Sequence, residues 1–223
     1  MNKSLQAERG VTLLELVVVV AIVAILGTVV LVNVTRARPR ATLLSATTDL
    51  QGLIHGARQA ALASGHDVIV MLFPERAENR PPRVVVIEDP SFAFMSGGGA
   101  LDFDGYDPEV LAYPEGGRVE YLDLPAGVEV GPATGLGSAL PEPLNAIDVG
   151  VACSFCSTDS SNDRRGAIRF DSRGAATFYS ENGTKRPSGV GASFTVTDRS
   201  IGQRNTFVIL SSTGLVQVEQ QHL

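Results

Sequence analysis

A long apolar run near the N-terminus is the feature that most constrains what this chain can fold into. Of the 24 residues from Val11 to Val34, 19 are apolar, and no charged residue occurs from Leu16 to Thr35. A helix of 24 residues is about 36 Å long, enough to cross a hydrocarbon core of ~30 Å. The run is followed by arginines and has no small-residue cleavage site. The pattern therefore predicts a retained membrane-spanning helix and not a cleaved secretory signal.

The composition outside this run is that of a folded domain. Charged residues make up 19% of the chain, below the ~25% of an average globular protein, and the apolar run accounts for much of the shortage. The remainder suits one domain of ~150–190 residues. These values exclude a collagen-like chain, a disulfide-dense mini-protein and a multi-span membrane protein. The net charge of −6 argues against a protein that coats nucleic acid phosphates.

Glu15 is the one charged residue inside the apolar run. A carboxylate deep in a bilayer costs ~2.5–3.5 kcal/mol on insertion scales, so it either lies near the interface or has a partner. Residues 11 and 15 are four apart, which places them on the same face of a helix, about 6 Å apart along its axis. An amine at position 11 and a carboxylate at position 15 are therefore spaced to act together.

The residues before Glu15 form a polar leader, Met1–Gly10, that ends in glycine. The N-terminal region has a polar leader, a glycine, the segment Val11-Thr12-Leu13-Leu14-Glu15 and an apolar helix, in that order. It resembles the class III signal of type IV pilins and pseudopilins. The resemblance implies that a prepilin peptidase cleaves after Gly10 and N-methylates Val11, where family members usually have phenylalanine. It also implies that Glu15 neutralises the terminal amine of a neighbouring subunit during filament assembly.

The patterns and the resemblance together imply four segments: a cleaved leader at 1–10, a transmembrane or filament-core helix at 11–35, an amphipathic half of the same helix at 36–65, and a periplasmic β-rich domain at 66–223. Ser64-Gly65 should end the helix. Its predicted apolar stripe consists of Leu43, Ala46, Leu50, Leu53, Ala57 and Ala60, widened by Leu44, Ile54 and Ala61. Predicted strands lie at 68–73, 84–87, 119–124, 167–170, 176–179, 194–197, 206–210 and 215–218, and should form a largely antiparallel sheet because no helical pattern separates them.

A narrower resemblance rests on three of these segments. The helix end before Val68, the hairpin Ile168–Gly174 and the closing hairpin over 194–216 are similar to those of H-type minor pilins and pseudopilins. This implies the pilin fold, an α+β architecture in which a long N-terminal helix, transmembrane in one half and amphipathic in the other, packs on a mostly antiparallel β-sheet domain. Long loops at about 89–118 and 131–164 match no family pattern, and we expect them on the exposed face.

Cys153 and Cys156 are the only cysteines, and three interpretations compete. A redox-active pair should open a helix, but a polar loop follows here. A zinc site needs two more ligands, and the histidines at 55, 66 and 222 are scattered. A structural disulfide in an oxidising compartment is favoured, and its small loop would stabilise the fold by only ~2 kcal/mol. It should pin a single loop.

Four carboxylates occur close together, those of Asp102, Asp104, Asp107 and Glu109. Calcium favours such oxygen clusters, and some major pseudopilins use it, but the position of the glycine does not fit an EF-hand loop. A solvated acidic turn is the favoured interpretation. The chain contains no G-x-S-x-G elbow, phosphate loop or paired-histidine motif. The sequence therefore predicts no enzyme and no cofactor.

The resemblance implies a minor pilin that helps to prime type IV pilus assembly near the pilus tip. Its expected partners are the prepilin peptidase, other minor pilins, the major pilin and the inner-membrane assembly platform. It would first span the bacterial inner membrane once, with its C-terminal domain in the periplasm, and would then enter the filament.

Three alternatives predict different partners. An H-type pseudopilin of a type II secretion system would share the mechanism and differ in its neighbours. A DNA-binding competence pseudopilin is disfavoured, because residues 41–223 hold 13 lysines and arginines against 22 aspartates and glutamates. A single-span periplasmic receptor would not need Glu15.

Overall fold

The computed structural model describes residues 13–74, 76, 80–91, 101, 117–130, 140, 142–147, 153–158, 164–180, 183–186, 189–198 and 200–221. The chain divides into two compact units, Met1–Arg38 and Pro39–Leu223.

One helix, α1, runs from Leu13 to Ser64 and contains Pro39. It ends where the sequence predicts, because Gly65 has a positive φ of 72° and its N–H donates to the Ala61 carbonyl oxygen at 3.1 Å. The buried apolar residues of its second half are Leu43, Ala46, Leu50, Ile54, Ala57 and Ala61. Leu44 is 54% exposed, so its assignment to the apolar stripe was wrong. It lies just beyond the stripe's edge.

Eleven strands are present in the part of the chain that the structure describes. They are β1 (Asp67–Phe73), β2 (Arg83–Asp89), β3 (Val119–Asp123), β4 (Val128–Val130), β5 (Ser157–Thr158), β6 (Arg164–Phe170), β7 (Ala176–Ser180), β8 (Lys185–Arg186), β9 (Gly191–Asp198), β10 (Gln203–Leu210) and β11 (Val216–Gln221). All eight predicted strands are found. The three that the sequence did not predict, β4, β5 and β8, have only two or three residues each, too few for an alternating pattern to be visible.

The strands form two antiparallel sheets. The larger has the order β3-β2-β1-β6-β7-β8, with β5 also paired to β6, and the smaller has the order β11-β10-β9-β4. The buried face of α1 and one face of each sheet share a single core, in which Phe194 of β9 stacks on Phe207 of β10 with ring centroids 4.7 Å apart. The predicted α+β fold, a helix packed on antiparallel sheets, is confirmed.

The central strands of the larger sheet are buried on their other face too. Ile69 and Met71 of β1 and Val85 of β2 point away from α1 and are fully buried, in a second cluster that includes Leu101. The Leu101 N–H donates to the Gly183 carbonyl oxygen at 2.9 Å. Leu101 lies within the segment that we expected to be exposed, and at this residue the expectation was wrong.

The outer face of the smaller sheet is also partly covered. Leu140 and Ile147 pack on Val208 of β10 and are buried, and a short 3₁₀ turn, Leu144–Ala146, lies between them. These residues belong to the second predicted loop, at about 131–164. Leu140 and Ile147 therefore attach this loop to the domain, whereas Pro143 and Asn145 beside them are exposed.

Candidate assembly site

The first turn of α1 carries Glu15. A carboxylate in the first turn of a helix interacts favourably with the backbone N–H groups that have no partner within the helix. Its apolar neighbours Leu13, Leu14 and Leu16 are 83%, 75% and 59% exposed. Gly10 and Val11, the predicted cleavage and methylation positions, lie outside the described residues.

Residues 13–28 of α1 are all exposed, although most of them are large and apolar. The exposed fractions of the large hydrophobic residues in this stretch range from 49% for Val18 to 83% for Leu13. A contiguous apolar surface of this kind marks a place where a protein contacts other proteins or lipid. Searched over the described residues alone, the protein has no helix that is both long and apolar enough to cross a membrane.

The second half of α1 is tied to the smaller sheet by a buried polar contact. Thr47 donates from Oγ1 to the Leu43 carbonyl oxygen at 2.7 Å, and Asn205 of β10 donates from Nδ2 to Thr47 Oγ1 at 2.7 Å. Both side chains are buried. The Thr47 hydroxyl therefore fixes one point of contact between α1 and β10. Sequence patterns could not have indicated this pair, because 158 residues separate its members.

Arg58, near the end of α1, binds two hairpin turns at once. Its Nε donates to the carbonyl oxygens of Thr213 at 2.7 Å and of Gly174 at 3.4 Å. A Cβ on Gly214, where φ is +62°, would overlap the Gly174 carbonyl oxygen. The β6–β7 and β10–β11 turns, one from each sheet, therefore meet beside Arg58.

The β6–β7 turn is organised by Asp171. Its Oδ1 accepts the backbone N–H groups of Arg173 and Ala175, each at 2.9 Å. Burial opposes the ionised form of Asp171, but the hydrogen bonds from Ala175 and Arg173 outweigh it. The pKa of Asp171 therefore lies below its ordinary value.

Cys153 and Cys156 form a disulfide. Next to it, Ser154 forms two hydrogen bonds with Ser193 of β9: its N–H donates to the Ser193 carbonyl oxygen at 2.8 Å, and its Oγ accepts the Ser193 N–H at 2.9 Å. Ser157 pairs with Arg165 of β6. The disulfide segment thus contacts both sheets, and the prediction that it would pin a single loop was too narrow.

Phe155, between the two cysteines, is buried and lies 5.3 Å from Phe178 of β7, centroid to centroid. Gly166 of β6 makes room for it, because a Cβ there would lie 2.9 Å from the Phe155 ring and 3.0 Å from Cys156 Sγ. The disulfide segment therefore inserts an aromatic anchor into the shared core.

An ion-pair cluster lies at one end of β2 and β3. Arg83 forms two hydrogen bonds with Asp123, from Nε to Oδ1 at 2.6 Å and from Nη2 to Oδ2 at 2.7 Å. Arg76 adds a third, from Nη1 to Oδ1 at 3.0 Å. The hydrogen bonds from Arg83, assisted by the charges of both arginines, hold the pKa of Asp123 below its ordinary value.

No group of three or more His, Cys, Asp or Glu side chains suited to a metal ion occurs among the described residues. Asp102, Asp104, Asp107 and Glu109, the weak calcium candidates, lie outside those residues. The sites found in the described residues are of two kinds. Some are contacts that hold α1, the strands and the turns together, and the other is the exposed apolar surface of α1.

Comparison with known proteins places one family signature on the chain. Residues 5–31 match the prokaryotic N-terminal methylation motif. No curated protein and no solved structure matches the chain significantly. The motif implies processing by a prepilin peptidase and assembly with other pilins. Together with a helix packed on antiparallel sheets, it supports a type IV pilin-like structural subunit.

Proposed function

We propose that the protein is a minor pilin, a structural subunit of a type IV pilus priming complex located near the tip. The observation that carries the proposal is the continuity of α1. The methylation motif covers residues 5–31, and the same helix continues to Ser64, where its buried face forms part of the core of the β domain. One element thus belongs to both the processing signal and the folded domain, as a filament subunit requires.

The proposed assembly chemistry uses residues 11 and 15. Cleavage after Gly10 creates a new amine at Val11, and the peptidase methylates it. Four residues later, Glu15 supplies a carboxylate among exposed apolar side chains. In an apolar environment, a carboxylate is stabilised by an opposite charge held close to it. Pairing Glu15 with the amine of an adjacent subunit sets the position of one subunit relative to the next.

The exposed apolar residues of α1 suit both of the environments that this role requires. Before assembly they anchor the chain in the inner membrane in a single pass, with the β domain in the periplasm. After assembly they contact the apolar helices of other minor pilins and of the major pilin. The inner-membrane assembly platform would transfer the subunit between the two environments.

The H-type features support a minor subunit of either assembly system. The turns of the two hairpins that resemble this group meet beside Arg58. An H-type minor pseudopilin of a type II secretion system would have the same processing, helix and domain, and is the alternative. DNA binding in competence receives less support, because the domain after residue 40 has an excess of nine negative charges.

The test replaces Glu15 in the full-length protein with alanine and, as a matched control, with aspartate. Leader removal should proceed in both variants, measured by the change in size of the membrane-bound chain. Incorporation into sheared filaments should fall strongly for Glu15→Ala and less for Glu15→Asp. Normal incorporation of Glu15→Ala would contradict the assembly role of Glu15, whereas a wild-type chain that never enters filaments would favour a single-span receptor.

Deletion of the whole gene separates the two assembly systems. A minor pilin predicts few surface pili and normal secretion of exoproteins. Normal piliation with secretion lost would instead support the pseudopilin alternative.

A further inference from the structure

A small groove opens where the second half of α1 passes the edge of the larger sheet. Its volume is about 150 Å³. Gly56, Ala57 and Ala60 of α1 and Val86 of β2 provide its apolar lining, and Glu88, Arg118 and Glu120 provide its charged groups. No contact described above uses this groove.

The groove has the chemistry to take a cation. Glu88 lies beside Arg118 across the ladder, since the Glu88 N–H donates to the Arg118 carbonyl oxygen at 3.0 Å. The Arg118 side chain forms an ion pair with Glu120. The lining therefore holds two carboxylates and one guanidinium. Residues 90–117, which connect β2 to Arg118, contain no lysine or arginine, so this connection supplies no second cation.

The size of the groove favours a single side chain. Pockets that bind small organic ligands usually measure ~300–1,000 Å³, well above this volume. The apolar lining is open above Gly56, because nothing lies within 4 Å of the position that its Cβ would occupy. A lysine or arginine side chain combines an apolar stem with a charged head. The stem matches the glycine and alanine surface of α1, and the head matches the excess carboxylate.

We propose that this groove binds a lysine or arginine side chain from a neighbouring pilin-like subunit. The inference rests on the proposed function, which supplies such a neighbour. β3 is the edge strand of the larger sheet as far as its strands are described, so a partner segment can run alongside it. The groove then selects neighbours by charge, whereas the apolar helix does not discriminate among apolar partners.

The experiment places a photo-crosslinking amino acid at Gln59, an exposed residue of α1 next to the groove, in the full-length protein in cells that make the other pilin-like subunits. Irradiation should yield an adduct with one such subunit, at a segment that contains lysine or arginine. Gly56→Leu fills the groove and Glu88→Lys reverses its charge. Each should lower the adduct yield by about tenfold or more: Glu88→Lys because it brings like charges together across the interface, and Gly56→Leu because its side chain occupies the space that the partner side chain needs.

Gly52→Leu is the matched control. Gly52 lies one turn earlier on α1, outside the groove, and nothing lies within 4 Å of its Cβ position either. This variant should leave the adduct yield unchanged. Changing the cross-linked cationic residue of the partner to glutamate should restore the adduct of Glu88→Lys. Thermal unfolding of the full chain in detergent checks that each variant folds.

Three results would overturn the proposal: an adduct that Gly56→Leu leaves intact, an adduct formed solely with a second copy of this chain, or no adduct although the chain enters filaments. A folded wild-type chain that never enters a filament or pseudopilus would instead refute the proposed function. The two failures are therefore distinguishable.

Discussion

Asn205 of β10 donates a hydrogen bond to the Thr47 hydroxyl of α1 across 2.7 Å, and both side chains are buried. This bond is directional, whereas the contacts around it in the shared core are apolar. It therefore fixes which residue of α1 faces β10.

Thr47→Val should destabilise the domain by about 1–3 kcal/mol, because it leaves the buried Asn205 amide without its acceptor. Urea unfolding of the full chain in detergent measures the loss. Thr48→Val is the matched control: Thr48 is exposed and bonds only to the Leu44 carbonyl oxygen of its own helix. Equal losses for the two variants would show that the contact between α1 and β10 has no special role.

Gly214→Ala should be more destabilising than Gly127→Ala. Both glycines have positive φ angles, of 62° and 90°, so both substitutions carry backbone strain of about 1 kcal/mol or more. Only at Gly214 would the new Cβ also collide with the Gly174 carbonyl oxygen and the Phe170 ring. Thermal melting compares the two, and a smaller loss at Gly214 would contradict the close approach of the two turns.

Removing the disulfide by Cys153→Ala with Cys156→Ala should lower stability by ~2 kcal/mol on the loop-closure argument. Phe155→Ala, with the disulfide intact, should cost ~3–5 kcal/mol because it leaves a cavity in the shared core. Urea unfolding of both variants and of the wild type, without reductant, measures the two losses. If Phe155→Ala cost no more than the cysteine changes, Phe155 would not be the main anchor of the segment.

The contribution of Asp123 to stability should depend on pH. Its pKa is lowered in the folded state by Arg83 and Arg76, so the unfolded chain binds the proton more readily. The stabilisation is therefore present above the ordinary pKa of 3.8 and is lost as the pH falls through the lower, folded value. Asp123→Asn should be less stable than wild type at neutral pH, and the difference should shrink towards pH 3. A constant difference would contradict this.

The main elements could be predicted because their patterns are local. The two strand-like segments at 167–170 and 176–179, separated by a turn with Gly174, predicted that hairpin, and Ser64-Gly65 predicted the end of α1. The side-chain contacts between elements that are distant in the sequence could not be predicted. Arg58 binds turns that lie 116 and 155 residues away, and such contacts leave no periodic signal.

The candidate sites also differ in whether a local sequence pattern indicates them. Glu15 was predictable because a charged residue inside an apolar run is visible in the sequence. The wide contact area of the disulfide segment was not, because it depends on Ser154 and Ser157 pairing with strands of different sheets. Gly56 gave no signal, since a glycine inside a helical pattern indicates nothing until the groove beside it is known.

Burial of the central strands of the larger sheet on both faces restricts where this domain can change. Every residue of β1 is buried, so a polar substitution there would have to enter the interior on one side or the other. Related subunits that need different partners would have to vary at strand edges, at turns and on the exposed face of α1. The interior of the domain is therefore constrained, whereas the strand edges, the turns and the exposed face of α1 can change. New partner specificities can arise at those positions while the sheet stays unchanged.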